Sequence, residues 1–526
     1  KPWRRSAAAS QVNASHGSVS ASTTAGRSER ISSCLRVGRP QAIAAGYRPI
    51  RPATSVRVRE AQDWGDAASG SIHLMDGQYV IQDPYHDYAI RFMYQMHRNY
   101  GWKAVCFYTN TADLRRSFRS YPELRDPEMV AASYRVSDGG LPRFIDHLRT
   151  AHDVRAVIPH YEPAVRNAGV IAAGLGLSWS QPEVLARFRD KEAMKAHLRR
   201  TDPSLRVNVS QVVTSPDEAV AVAAGQGLSR YVLKPNDGFG NVGVAFFEAH
   251  SPVERVAAHW NGSPSLLLEE YVAGDEYHCD GQVDAHGTVT ITDVFRYHRG
   301  MVNGKENIEL GSNRIASTSP IFSTLADYTV RVMEATGLRR SPFHAEVKID
   351  KNGPCLIEVA ARLVGVKTAD VVNFMHGGSL DVFEVAGHYY ASAQPFGPLP
   401  TDWRAYDSRA IWQVASAVNR TERVFNLQGV DEVEAMPEFL FWTERPPEIG
   451  ERLHRTTDIF GSAYIAVVQG PSDDVAAQTA ERIRRLIRWN SNRVTPAQRA
   501  RAAASLVDRR VRQLPSAAER RMVHYP

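Results

Sequence analysis

The sequence holds four cysteines, Cys34, Cys106, Cys279 and Cys355, and no two stand at a spacing that suits a zinc site or a redox pair. This scarcity excludes a disulfide framework and points to free, buried thiols in a reducing compartment. No apolar run approaches the ~18 residues that a membrane helix needs, so no membrane partner is expected. There is no G-x-G-x-x-G after the first strand-like run and no G-x-x-x-x-G-K-[ST] anywhere, which removes the commonest dinucleotide and phosphate fingerprints.

Charge is unevenly spread. Residues 1–59 hold ten arginines and one lysine against the single acid Glu29, and residues 491–526 hold eight arginines against Asp508 and Glu519. The body between them is therefore acidic although the whole chain carries +6. A basic domain face would suggest nucleic acid. Here the excess sits in two tails, so no nucleic-acid partner is expected. Residues 1–70 are rich in Ser, Ala, Arg and Gly without apolar period, and read as a disordered or targeting tail. The expected location is cytoplasmic, with organelle targeting by residues 1–60 as the alternative.

With 526 residues and 43% hydrophobic composition, the chain can bury several domain cores. From residue 71 onward, strand-like runs ("QYVIQD", "KAVCFYT", "VRAVIPH") alternate with helical ones. This pattern predicts a parallel α/β domain over 71–185. A smaller α+β unit follows over 186–272, ending in "SLLLEEYV". Two hairpins dominate 273–395, with turns expected at Asp284–Gly287 and Asp350–Pro354. A further α+β subdomain is expected at 396–490, and a basic tail after it.

Three stretches carry candidate chemistry. Glu346 and Glu358 are each six residues from Asn352, the centre of the second hairpin, so they should face each other across the ladder. Two like charges there repel unless a cation lies between them, and hard oxygen ligands suit Mg²⁺. The plainer alternative is a solvent-facing acidic pair. Arg362 follows four residues after Glu358 and could grip an anion with its planar fork. Lys234 ends an apolar strand and precedes the loop 236–243, with glycines at 238, 240 and 243. Such a loop can turn its N–H groups toward phosphate, or it can be an ordinary tight turn.

In this order, "RDKEAMKAHL", "YVLKPNDGFGNVGV", "LLLEEYVAGDEYHCDG" and "FHAEVKI…PCLIEVAARLVG" resemble the ATP-grasp superfamily over about residues 71–395. The resemblance implies an N-terminal parallel-sheet (pre-ATP-grasp) domain, a small lid subdomain and a larger metal-binding subdomain closing on ATP. It implies that Lys191 and Lys234 contact ATP phosphates, and that 236–243, with Gly238 and Gly240, is the lid. Glu269, Tyr271 and Val272 would lie along the adenine, with Glu276 near the ribose. Glu346 and Glu358 would hold Mg²⁺, or Mn²⁺ in its place, and Arg362 would steady the phosphate. Many members have Glu-x-Asn-x-Arg here, whereas this chain has Ala360, which cannot ligate a cation. "EVAARLVG" is instead similar to the L-amino-acid ligase branch, which includes dipeptide-forming enzymes of the alanine–anticapsin ligase kind. That similarity implies small-molecule carboxylate and amine substrates, ADP and phosphate as products, and a homodimer. Arg314 and Val366 are further candidates at the substrate pocket. The rivals are a biotin-type carboxylase, for which Ala193-Met194-Lys195 is the nearest thing to a carrier motif, and an ATP-binding regulatory protein without turnover.

Overall fold

A computed structural model describes residues 77–260, 262–365, 367–491, 494–511 and 523–525. The expected tail at 1–70 and Val366 lie outside the described residues.

The first sheet is parallel. It is built from β1 (Gln78–Gln82), β2 (Lys103–Tyr108), β3 (Val130–Val136) and β4 (Val154–Ile158), in the order β3-β2-β1-β4. These strands are near-continuous apolar runs because both faces are covered. Tyr79, Ile81, Cys106 and Tyr108 enter one core, and Val80, Val105 and Phe107 enter another. Strand order reverses between β1 and β4, so the loops leaving their carboxyl ends open on one crevice. Part of the basic tail is described as well. Pro496–Val511 is a helix, and the short strand Val523–Tyr525 returns to pair in parallel with β3.

A small antiparallel sheet follows. Its strands are β5 (Ser210–Val213), β6 (Arg230–Lys234), β7 (Ala245–Glu248) and β8 (Leu266–Glu270), in the order β5-β8-β6-β7. Helices Pro216–Gly225 and Val253–Trp260 cover one face, packing on Tyr231, Leu233, Leu266 and Leu268. The strand period of two sends the alternate residues Val232, Lys234, Leu267 and Glu269 to the opposite face.

The second, larger sheet has eight antiparallel strands. It contains β9 (Asp275–Val283), β10 (Val289–Val302), β11 (Lys305–Arg314), β12 (Ser341–Asp350), β13 (Gly353–Ala360) and β14 (Ala410–Ala415), in the order β13-β12-β9-β10-β11-β14. Ile465–Gly470 and Phe439–Glu444 complete it. The segment 396–490, expected as a subdomain of its own, keeps its own apolar core but shares this sheet. Gly311 allows the junction, because a Cβ there would stand 2.2 Å from the Gln413 carbonyl oxygen. Pairing with β14 also removes what would otherwise be an open edge on β11.

Both turns fall where expected. Asp284 accepts from the amides of His286 and Thr288, and a two-residue turn at 351–352 joins β12 to β13. Cys106, Cys279 and Cys355 are buried free thiols. Among the described residues, no helix is long and apolar enough to cross a membrane.

Candidate active site

A cleft lies between the small sheet and the large one. Its walls include Lys191, Lys234, Gly238, Gly240, Glu269, Tyr271, Val272, Glu276, Glu346, Glu358 and Arg362. Eleven of the thirteen residues singled out in the sequence therefore converge here. Lys191 opens the helix Lys191–Thr201, which Asp190 caps by accepting from the Ala193 amide. Its ammonium stands 3.1 Å from Glu358 and donates to the Gly238 carbonyl at 2.6 Å. The glycine loop is thus folded over the cleft. Its far side touches the later segment of the chain: Ile459 N–H donates to the Gly240 carbonyl at 3.4 Å, and Phe239 meets Phe460 edge-on at 6.1 Å between centroids.

Glu346 and Glu358 are direct cross-strand partners. The route to this pairing differs from the symmetric hairpin read in the sequence. From the turn, Asp350 pairs Gly353 and Val347 pairs Leu356, a register that would set Glu346 against Ile357. A bulge at Ile357 shifts the ladder by one and returns both carboxylates to one face. Bulges re-aim side chains in this way near functional sites. Lys191, Lys234, Arg299 and Arg362 line the same cavity, so the acidic pair sits in a cationic surround. Two hard carboxylates on one face of a cation-rich cleft form a donor set that suits Mg²⁺ or Mn²⁺.

The remaining expectations divide. Tyr271 has its ring between Arg230 at 4.2 Å and Lys348 at 5.1 Å, and the Val272 carbonyl accepts from Lys348 at 3.2 Å. Glu276 is held by Arg299 at 2.6 Å and Lys348 at 3.7 Å. Glu269 was expected along a base, yet both of its oxygens are taken by lysines. Lys234 stands 2.7 Å from one oxygen, and Lys195 donates to the other. Burial alone would raise this carboxyl, but the two ammonium groups outweigh it and hold it at about 2. Arg314 does not join the cleft. It is buried with its guanidinium 3.0 Å from Asp407 and over the Tyr406 ring, because Asp407 supplies the counter-charge there.

Residues 229–370 match the ATP-grasp domain family. The chain contains an ATP-grasp domain. Dapdiamide A synthase of Enterobacter agglomerans is 29% identical over 241 residues, which cover 44% of this chain and 55% of that protein. The uncharacterized protein y4rH of Sinorhizobium fredii is 25% identical over 41% of this chain and 45% of its own length. The chain therefore spans about half the length of these curated relatives. Among solved structures, the L-amino acid ligase from Bacillus licheniformis superimposes with a TM-score of 0.61 at 16% identity, over 79% of this chain and 99% of that one. Phosphoribosylglycinamide synthetase from Anaerococcus prevotii gives 0.53 at 12% identity over 79% and 99%. These likenesses show the ATP-grasp fold.

Several residues around the ATP-grasp cleft were not singled out. Lys195, weighed in the sequence only as a carrier lysine, sits four residues after Lys191, a helical spacing that could have marked it for the cleft. Its burial at 1% exposure, bonded to Asn208 and Glu269, also means that Ala193-Met194-Lys195 cannot present a carrier lysine. Glu162, just after β4, bridges Arg189 at 2.7 Å and Arg362 at 2.8 Å. Burial would raise its carboxyl, but Arg362 and Arg189 bring it down. No local signal marks Glu162, because its partners lie far along the chain. Behind Glu346, His344 Nδ1 donates to Asp280 at 2.6 Å, and His278 Nδ1 donates to the other Asp280 oxygen at 2.9 Å. Burial would lower the His344 imidazole, but Asp280 and Glu346 raise it to about 9. Glu309 stands across from Arg299 and is raised to about 7, chiefly by burial.

Proposed function

We propose that this protein is an ATP-dependent carboxylate–amine ligase that joins two amino acids through an acyl phosphate, releasing ADP and phosphate. The observation that carries this reading is the convergence of Lys191, Lys234, the Glu346–Glu358 pair and Arg362 on one cleft under a glycine loop. Dapdiamide A synthase and the Bacillus licheniformis L-amino acid ligase support it by their names.

A carboxylate is a poor electrophile at neutral pH. In this reading its oxygen attacks the γ-phosphorus of ATP and ADP leaves. An amine nitrogen then attacks the acyl carbon, phosphate leaves, and the nitrogen gives up a proton. Catalysis of such transfer is mainly positioning and charge stabilisation. A divalent cation held by Glu346 and Glu358 would supply part of that stabilisation. Lys234 is already oriented by Glu269, so it can face phosphate without rearrangement. Lys191 is different. It must leave Glu358 and the Gly238 carbonyl to reach a phosphate, which couples nucleotide entry to the loop. Arg362, anchored by Glu162 through Nε, keeps Nη2 for an anion.

The test is phosphate release from Mg-ATP over a panel of paired amino acids, with mass spectrometry of the products. ADP, phosphate and a dipeptide mass are expected. AMP and pyrophosphate would overturn the acyl-phosphate route, and ATP binding without turnover under every pairing would overturn the ligase reading.

The loop contact yields a separate expectation. An edge-on aromatic pair contributes about 0.5–1.5 kcal/mol. Phe460→Ala should therefore loosen the loop and admit water to the acyl phosphate. Phosphate released per dipeptide should rise about 2- to 10-fold, with the dipeptide measured in the same sample.

A further inference from the structure

A cavity of about 570 Å³ opens beside β4, and none of the residues that line it lines the catalytic cleft. That volume falls within the roughly 300–1,000 Å³ of small-molecule sites. Trp102, Trp179, Tyr390, Leu175 and Leu177 form its apolar walls, and Arg340, only 7% exposed, brings a charge to them. Trp179 Nε1 donates to the Arg340 carbonyl at 2.9 Å, and its ring meets Tyr390 edge-on at 5.7 Å between centroids, so the aromatic wall is held in place. Arg340 Nε and Nη2 donate to the Tyr389 and Tyr390 carbonyls at 2.8 and 3.0 Å, at the end of the helix Val382–Ala391. The negative pole of that helix offsets part of the charge. Nη1 takes no partner among the described residues. Burial lowers the pKa of this guanidinium, and no carboxylate acts against it. A buried arginine is ordinarily paired with an acid. Arg340 also keeps left-handed backbone at φ 53°, a strain that a non-glycine residue holds where its surroundings fix it.

We propose that this cavity is a binding site for a small aromatic carboxylic acid, whose carboxylate pairs with Arg340 and whose ring lies among Trp102, Trp179 and Tyr390. The planar guanidinium suits a carboxylate, and aromatic walls suit a ring. Among the described residues no aspartate or glutamate lines the cavity, so an ammonium group finds no counter-charge there. An acid without an amino group therefore fits it better than a zwitterionic amino acid. That separates this ligand from the substrates proposed for the cleft, and the site stands whether or not the ligase reading does. Its position still bears on the cleft. β4 leads into Glu162, and β12, which begins at Ser341 beside Arg340, carries Glu346. A ligand here touches two segments that each deliver a residue to the catalytic cleft.

The test is calorimetric titration of the full chain with 2-naphthoate, with its neutral amide 2-naphthamide and with the cation 2-naphthylmethylamine, each repeated in saturating Mg-ADP. The acid should bind about tenfold or more tightly than the amide or the amine, because a hydrogen bond to a charged group is worth that much. Its affinity should be the same with and without Mg-ADP. Arg340→Gln should abolish the preference for acid over amide. That substitution also loosens a helix end, so Ser178→Trp supplies a second variant. Residue 178 is exposed at the cavity wall, and a tryptophan there fills the space while leaving Arg340 in place. It should weaken binding of the acid about tenfold or more. Equal affinity for acid and amide would overturn the proposal, as would a preference that survives in Arg340→Gln. Displacement of the acid by Mg-ADP, unchanged affinity in Ser178→Trp, or no binding below about 1 mM would also overturn it.

Discussion

Glu358→Gln should lower ADP formation with a carboxylate and an amine by about 10³-fold, with most of the loss in kcat. The substitution keeps size and hydrogen bonding but deletes one of two facing charges. A metal clamp on a transferring phosphoryl group is worth several kcal/mol, and each ~1.4 kcal/mol is tenfold in rate. Lys191 loses its 3.1 Å partner in the same change, so nucleotide binding should persist or tighten while turnover collapses. That split separates loss of catalysis from loss of fold. Stopped-assay ADP measurement, paired with equilibrium binding of ATP, checks it. Unchanged turnover would remove Glu358 from the metal-binding role.

Glu269→Ala should produce the largest stability loss, about 3–5 kcal/mol. Glu269 is 2% exposed, and its two oxygens neutralise Lys195 and Lys234, both of which are buried. Alanine removes the shared counter-charge of two buried ammonium groups and leaves Lys195 only the Asn208 oxygen, and an uncompensated buried charge is far costlier than a surface one. The transition midpoint in urea, followed by tryptophan fluorescence, is the readout. Trp260, in the core on the other face of the same small sheet, serves as the local probe. Lys195→Met should cost less, because Glu269 keeps Lys234 at 2.7 Å.

The same triad has a pH signature. The Glu269 carboxyl is held at about 2 in the folded chain, against roughly 4.3 when unfolded. A depressed carboxylate contributes stability that is full above the unfolded value and lost as pH falls through the folded one. Acid unfolding between about pH 4.5 and 2 should therefore be steeper in the wild type than in Glu269→Ala.

Much of the cleft was readable along the chain, and particular residues show why. Lys234 ends an apolar strand, Gly238 and Gly240 follow it at turn spacing, and the glutamates flank a hairpin turn. Each of these is a short-range pattern, and the strand period of two carries over directly into which face a side chain takes. Glu269 was placed along the adenine by the resemblance. Its real partners, Lys195 on a helix 74 residues earlier and Lys234 on the adjacent strand, are set by packing. Arg314 looked like a free anion binder until Asp407, 93 residues on, was found against it. Glu162 reached the site from another sheet for the same reason: β4 ends at the crevice into which Arg362 projects.

The sequence by itself determined the order of the parts, the strand and helix periods and the two hairpin turns, and it put the two carboxylates near each other; the bulge at Ile357 that makes them direct partners belongs to the structure. The readable parts follow from backbone geometry over a few residues. Only the tertiary structure decided which charges neutralise one another, that β14 joins the large sheet, and that His344 stands opposite Ala360 with Asp280 behind it. Those outcomes depend on which distant segments are driven together by burial. Once there, each buried charge must find a partner, and local sequence does not say which one it will be.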